Sequence, residues 1–395
     1  MRMPDIPETQ RPQIALLVET SLASGRDILR GIAKYVRTHE PWALTHEPHG
    51  LEDALPRWFR AWRGDGIIAR LQDPAIAAAL ARMGIPTVDV LGVVPGAPFP
   101  LVHVDDARIA QVAAEHLLER GFRRFGYFGI QGENWSERRR DAFATAVAGI
   151  GGVPAVCELP RSSKDGHSWE SMENELARWV ASLEKPCGVM VCSDQRGARL
   201  LEACRRARVL VPDEVAVIGA DDDEPLCEVC HPTLSSVRPD HFRVGFEAAG
   251  LLDRMMKGEA APRQAILVEP QGVSTRLSSE VLAIEDRQIA TVLRIIREQE
   301  ARSISVDELA QLAGLSRSVL QRRFRATMGH SIHQEILRVR IQRARFLLSE
   351  SDLTLAEIAE RTGFRHQEYM GSVFKERLDK TPGEIRRAGR PPETS

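Results

Sequence analysis

No run in this 395-residue chain approaches the length needed to cross a bilayer, and Met1-Arg-Met-Pro-Asp-Ile-Pro-Glu-Thr-Gln-Arg11 has no apolar core of an export signal. A cytoplasmic location with no membrane partner is the expectation. Cysteine is sparse: six residues without framework spacing argue for reduced thiols and against a disulfide scaffold. Cys227-Glu-Val-Cys230-His231 has the spacing of a haem attachment site, but without an export signal it reads as a surface loop. No Gly-x-x-x-x-Gly-Lys-Ser/Thr occurs, and Gly126-x-x-Gly129-x-x-Gly132 has the wrong spacing for a dinucleotide fingerprint, so nucleotide chemistry has no support. Asp221-Asp-Asp-Glu224 lacks the alternating ligands and glycine of a calcium loop. No nucleophile with a paired base stands out. The chain is therefore read as no enzyme, with no cofactor and no metal.

The formal net charge of −2 hides an asymmetry. Residues 285–395 hold 20 Lys and Arg against 16 Asp and Glu, which leaves 33 against 39 in residues 1–284. Eighteen of those 20 are arginine, the cation best matched to phosphate and guanine edges.

Residues 13–280 alternate short β-branched runs with helical stretches, as an open α/β sheet requires. Ile14–Val18, Gly66–Ala69, Pro86–Val90, Phe125–Phe128, Gly188–Cys192 and Val215–Gly219 read as strands, and Gly25–Arg37, Ala107–Arg120, Glu137–Ile150, Trp169–Leu183 and Gln195–Ala207 as helices. Ligands of such sheets bind beyond the carboxyl ends of the strands. Glu19, Asp105 with Asp106, Asp194, and Asp221 with Asp222 stand there and are expected to converge on one cleft, with Glu19, Asp105, Asp194 and Asp221 as its sugar contacts, since carboxylates accept strong hydrogen bonds from hydroxyls. Trp135 offers either a face for a sugar ring or one more core side chain. Asp89 and Asp106 read as turn or capping residues, and Asp73 before Pro74 as the cap of a helix.

The C-terminal part contains two similar units. Val306-Asp-Glu-Leu-Ala-Gln-Leu-Ala-Gly314-Leu315 ends one short amphipathic helix at a glycine, and Ser316 then caps a second that runs through Phe324. Leu355-Ala-Glu-Ile-Ala-Glu-Arg-Thr-Gly363-Phe364 repeats the pattern before Tyr369 and Phe374-Lys375. Helix, tight turn, helix is the architecture of a DNA reader. A long helix, Ile332 to Ser349, joins the units. In the first, Leu320 and Phe324 face inward, which leaves Ser318, Gln321 and Arg322 outward; Arg322 suits guanine and Gln321 adenine.

Ile358-Ala-x-x-x-Gly363-Phe364, Tyr369, Phe374-Lys375 and Thr381-Pro382 resemble the AraC/XylS regulators' DNA-binding domain, with departures at Asp379, Met370 and Ile385-Arg386 that read as packing positions. Val104-Asp105, His116-Leu-Leu-x-x-Gly121-Phe122-x-x-Phe125, Ser193-Asp194, Val217-Ile-Gly219-x-Asp221 and Leu234-Ser-Ser-Val237 resemble LacI-type repressors and periplasmic sugar-binding proteins. That order of domains is similar to the xylose operon regulator group.

The resemblance implies a periplasmic-binding-protein-like two-lobed α/β domain at 11–276, a linker at 277–286 and an all-α domain at 287–388 with helix-turn-helix units near 305–325 and 354–376. It implies sugar contacts from Asp221 and from Arg139, one turn before Phe143. The family's base-reading positions fall on Ser318, Gln321 and Arg322, then on Gln367, Glu368 and Gly371, with Arg365 and His366 toward phosphate and Arg317 as a further DNA-binding residue. The first unit is expected to discriminate more than the second. The expected protein is a homodimeric sugar-responsive activator that binds a double-stranded DNA operator, a pentose such as xylose, and RNA polymerase. A soluble sugar carrier or a carbohydrate-acting enzyme on the same fold is the alternative.

Overall fold

The computed structural model describes residues 11–47, 57–60, 62–161, 168–280, 286–298, 304–351 and 353–389. The chain divides into two compact units, Met1–Ala283 and Ile284–Ser395.

The first unit carries two lobes. One is a parallel sheet in the order β2-β1-β3-β4, from β1 (Gln13–Leu17), β2 (Ala43–His46), β3 (Gly66–Ala69) and β4 (Thr87–Asp89), with helices α1 (Ala23–Thr38) and α2 (Pro74–Met83). Asp73 caps α2 as its sequence implies, accepting from the Ala75 N–H at 2.7 Å. Chain then passes through β5 (Val102–Val104) to the other lobe: α3 (Asp106–Glu119), β6 (Arg124–Ile130), α4 (Asn134–Ala148), β7 (Ala155–Leu159), α5 (Trp169–Ser182), β8 (Cys187–Val191), α6 (Asp194–Ala207), β9 (Val215–Ala220), α7 (Glu224–Val229) and β10 (Ser235–Val237). It returns to the first lobe for α8 (His241–Met256) and β11 (Ile266–Val268), and crosses again to β12 (Val273–Ser274). The second sheet runs β12-β10-β9-β8-β6-β7, parallel except for β12, and β11 pairs with β5. Three crossings therefore connect the lobes, each at a strand end.

Helix α8 fixes one side of these crossings by packing along α1. The two helices approach so closely that a Cβ on Gly31 would lie 1.9 Å from the Phe242 carbonyl oxygen, and one on Gly245 2.0 Å from that of Ile28. Only glycine permits this contact.

The expected linker begins at residue 277, but Leu277–Ser279 form a 3₁₀ turn sealed onto the second lobe. Ser278 and Ser279 are fully buried: Ser278 Oγ donates to the Val217 carbonyl at 2.7 Å, and Ser279 Oγ lies 2.7 Å from His116 Nε2. These residues belong to the first unit.

The second unit consists of α9 (Arg287–Glu298), α10 (Val306–Leu312), α11 (Arg317–Met328), α12 (Ile332–Glu350), α13 (Leu355–Arg361), α14 (Gln367–Leu378) and α15 (Pro382–Gly389). Helix α12 spans two small cores: Leu309, Leu320 and Phe324 centre one, and Ile358, Met370 and Phe374 the other. Ser305 and Thr354 head capping boxes with Glu308 and Glu357, which start the first helix of each unit at equivalent places. Gly314 and Gly363 turn the corners at φ 66° and 74°. Met370 is a packing position, fully buried, whereas Asp379 is a backbone position: it ends α14 in the left-handed region at φ 52°.

Candidate functional site

A cleft of about 210 Å³ lies between the lobes, walled by strand ends and the first turns of helices. From the second lobe, α4 contributes Arg139, only 4% exposed. Its Nε donates to Asp106 Oδ1 at 2.9 Å, its Nη1 donates to the Cys192 carbonyl at 2.5 Å, and the same Nη1 lies 3.7 Å from Asp221 Oδ1. Burial works against the charge on Arg139, yet Asp106 and Asp221 beside it raise its pKa above the ordinary arginine value. Asp106 in turn accepts from Arg138 at 2.8 Å; burial would raise its pKa, but Arg139, His103 and Arg138 hold it below the ordinary carboxylate range. One guanidinium edge is thus locked toward Asp106 while Nη1 reaches the cleft.

Asp221 follows β9 with φ 120°, a conformation that L side chains rarely adopt, and its side chain is 30% exposed. Asp194 also lines the cleft but is nearly inaccessible: Oδ1 accepts from Ser236 Oγ at 2.6 Å and Oδ2 from the Asp223 N–H at 2.8 Å. Burial and the nearby Asp221 push its pKa up to about 7. Asp194 holds the 221–223 turn in place, and Asp221 is the carboxylate that turn presents. Trp135 is half-buried, packing against the hydrophobic core on one side and lining the cleft on the other; the Arg139 guanidinium lies 5.1 Å from its ring centre, and its Nε1 donates to Glu133 at 3.1 Å.

The first lobe supplies Ser24, Arg70, Leu91 and Val93, with His103 and His241 at the crossings. Arg70 pairs with Glu19 and donates to Ser24 Oγ at 3.1 Å. Glu19 is only 2% exposed and stands behind that wall, acting through Arg70. Burial depresses the pKa of His103 to about 4, against a partial offset from Asp106.

Asp105 departs from expectation. Its carboxylate caps α3, accepting from the Arg108 N–H at 2.9 Å, and does not line the cleft; Asp106, expected as a cap, is the residue that turns inward. Asp89 is a turn residue as expected, accepting from the N–H groups of Leu91 and Gly92 at 2.9 and 3.1 Å. Cys227 is not on a surface loop: it is fully buried on α7. Arg70, His103, Arg196 and His241 line the cleft without having been picked out in the sequence. Of these, Arg70 follows β3 and obeys the strand-end rule; the others carry no such signal.

Four of these residues keep a buried polar atom without a protein partner: Glu19 Oε2, Arg70 Nε, Arg196 Nη1 and His241 Nε2. Such atoms are costly to bury unless something supplies the missing bond. All four belong to residues in or just behind the cleft wall.

In the second unit, α11 exposes Arg317, Ser318, Gln321 and Arg322. Arg317 pairs with Asp307 at 2.9 Å, and Ser318 Oγ lies 3.3 Å from Ser316 Oγ. Arg323 turns the other way, onto Asp286 at 2.6 Å. Arg365, His366, Gln367 and Glu368 are exposed before and along the first turn of α14, where Gln367 Nε2 donates to Glu368 at 3.2 Å. Next on that face come Gly371 and Ser372, whose hydroxyl is spent on the Glu368 carbonyl at 3.0 Å. Tyr369, 43% exposed, is a further surface residue of this helix that sequence reasoning used only as a family marker.

Three family models match successive stretches: a XylR N-terminal domain over residues 13–102, a periplasmic binding protein-like domain over 114–279 and a helix-turn-helix domain over 309–388. The chain is 32% identical to the xylose operon regulatory protein of Escherichia coli K12, over 96% of this chain and 97% of that one. The chain belongs to the xylose operon regulator family. A member from Haemophilus influenzae is 30% identical over 95% of this chain and 98% of its own. A solved structure described as the xylose-binding transcription activator xylR superposes with a TM-score of 0.80, at 30% identity, covering 97% of this chain and all of that one. Family membership makes the chain a regulator of transcription with a sugar-sensing first unit and an AraC-type DNA-binding second unit. No helix among the described residues is long and apolar enough to cross a membrane.

Proposed function

We propose that the protein is a pentose-responsive activator, xylose being the first effector to test, in which sugar held between the lobes changes how α11 and α14 engage operator DNA. The observation that carries this reading is the cleft itself: donors and acceptors from both lobes meet there, and the unpartnered buried atoms are concentrated around it. Cations and carboxylates both line the wall, which suits a neutral polyol better than an anion. Arg139 and Asp221 supply a donor and an acceptor to adjacent hydroxyls, Trp135 offers ring surface, and Arg70 and Ser24 close the other side. Asp194, Asp106 and Glu19 act through these residues.

On the DNA side, Arg322 and Gln321 read bases, while Arg317 and Arg365 neutralise phosphates and His366 contacts the backbone beside them. Gln367 and Glu368 contribute less, because they bond each other and are followed by small residues. A homodimer on paired half-sites that recruits RNA polymerase completes the reading, and the protein performs no reaction of its own. A thermal-shift panel of pentoses and hexoses tests the sensor: one or more pentoses at millimolar concentration should raise the midpoint by several degrees. A flat response across the panel would refute it.

A further inference from the structure

His241 is the first residue of α8 and lies at a crossing between the lobes, 6% exposed and lining the cleft. Its Nε2 has no hydrogen-bond partner and lies 4.0 Å from Asp221 Oδ1, across the cleft in the other lobe. That separation is too long for a hydrogen bond between them. It is also short enough for one oxygen to sit ~2.8 Å from both. Arg139 Nη1 flanks the same carboxylate oxygen at 3.7 Å. The histidine is held firmly: Asp240 caps α8 by accepting from the Arg243 N–H at 2.9 Å, and the Gly31–Gly245 contact seats α8 on α1.

We infer that His241 is a specificity-determining residue: its Nε2 and Asp221 Oδ1 form a seat for one hydroxyl of the sugar. This rests on the reading of the cleft as a sugar site. A hydroxyl has one proton to donate and two lone pairs to receive. In this seat it donates to Asp221 and accepts from His241 Nε2–H, with the ring protonated at that nitrogen. Because His241 comes from the first lobe and Asp221 from the second, the seat exists only when the lobes meet. A sugar with a hydroxyl at that position bridges them; one that lacks it, or carries it on the opposite ring face, leaves His241 Nε2 buried and unpaired and Asp221 without that donor.

The test is titration calorimetry on the full chain with D-xylose and its monodeoxy analogues, each missing one hydroxyl. His241→Ala should weaken D-xylose about tenfold, and His241→Gln, which keeps an N–H, should recover part of the loss. One analogue should bind the native protein about tenfold more weakly than D-xylose and lose nothing further in His241→Ala, while the others remain sensitive to the substitution. Equal loss for every analogue, or none, in variants with unchanged sugar-free thermal midpoints would overturn the inference and leave the sugar-site reading standing. Failure of the native protein to bind D-xylose or any analogue would overturn both.

Discussion

In the sensor unit Arg139 and Arg196 are each 4% exposed, held by carboxylates, backbone carbonyls and aromatic faces, whereas in the reader unit Arg322 and Arg365 stand exposed on or beside the recognition helices. The same side chain serves two kinds of recognition. Buried and oriented, it presents one fixed N–H to a small ligand; exposed, it can approach a phosphate or a base edge that arrives from solvent. Burial also lowers the Arg196 pKa to about 10, so a buried arginine bears a desolvation cost that an exposed one avoids.

Substitutions should separate the two kinds sharply. Arg139→Ala leaves the buried Asp106 without its inner partner, and should destabilise the sensor by about 3–5 kcal/mol in denaturant unfolding as well as abolish sugar binding. An unchanged unfolding midpoint would show that the arginine is not structurally engaged. Arg322→Ala should do the opposite, with no loss of stability and a loss of roughly 1–3 kcal/mol in operator affinity by gel shift, larger than that of Gln367→Ala. If the order of the two were reversed, the second recognition helix would be the main reader.

The two helix-turn-helix corners offer a finer contrast. A Cβ at either corner would impose a left-handed strain of roughly 1–2 kcal/mol, but at Gly363 it would also meet Arg340 Nε at 3.0 Å, whereas nothing lies within 4 Å of one at Gly314. Gly363→Ala should therefore lower the reader's thermal midpoint more than Gly314→Ala does. Equal shifts would mean that strain alone decides.

Buried histidines give the sensor a pH dependence of known sign. Burial lowers the His103 pKa to about 4 and that of His116 to about 3, below the ordinary value of 6.5. Between those limits the unfolded chain binds protons that the native one refuses. Their contribution is thus complete above pH 6.5 and is lost as pH falls through that window. Replacing His116 with Gln should flatten the slope of midpoint against pH over this range; an unaltered slope would place the effect elsewhere.

Much of this arrangement was legible in the residues. Long apolar strands such as Val215–Ala220 and paired amphipathic helices ending at glycine announce themselves, because periodicity and turn chemistry are local. Short or polar strands such as Ser235–Val237 carry no such signal, and α8, buried along much of its length, went unassigned. The exchange of Asp105 and Asp106 has a simple cause. One residue along a helix start rotates the side chain by about 100°, enough to separate a carboxylate that turns inward onto Arg139 from one that caps the helix. His241 and Arg196 gain meaning only from partners far along the chain, which spacing does not reveal.

Sugar occupancy of the cleft should alter DNA binding, and operator affinity of the full chain measured with and without D-xylose at fixed salt tests this directly. A change of about 5–150-fold, abolished in Arg139→Ala, is the predicted result. Identical affinity and identical footprint with and without the sugar would contradict it.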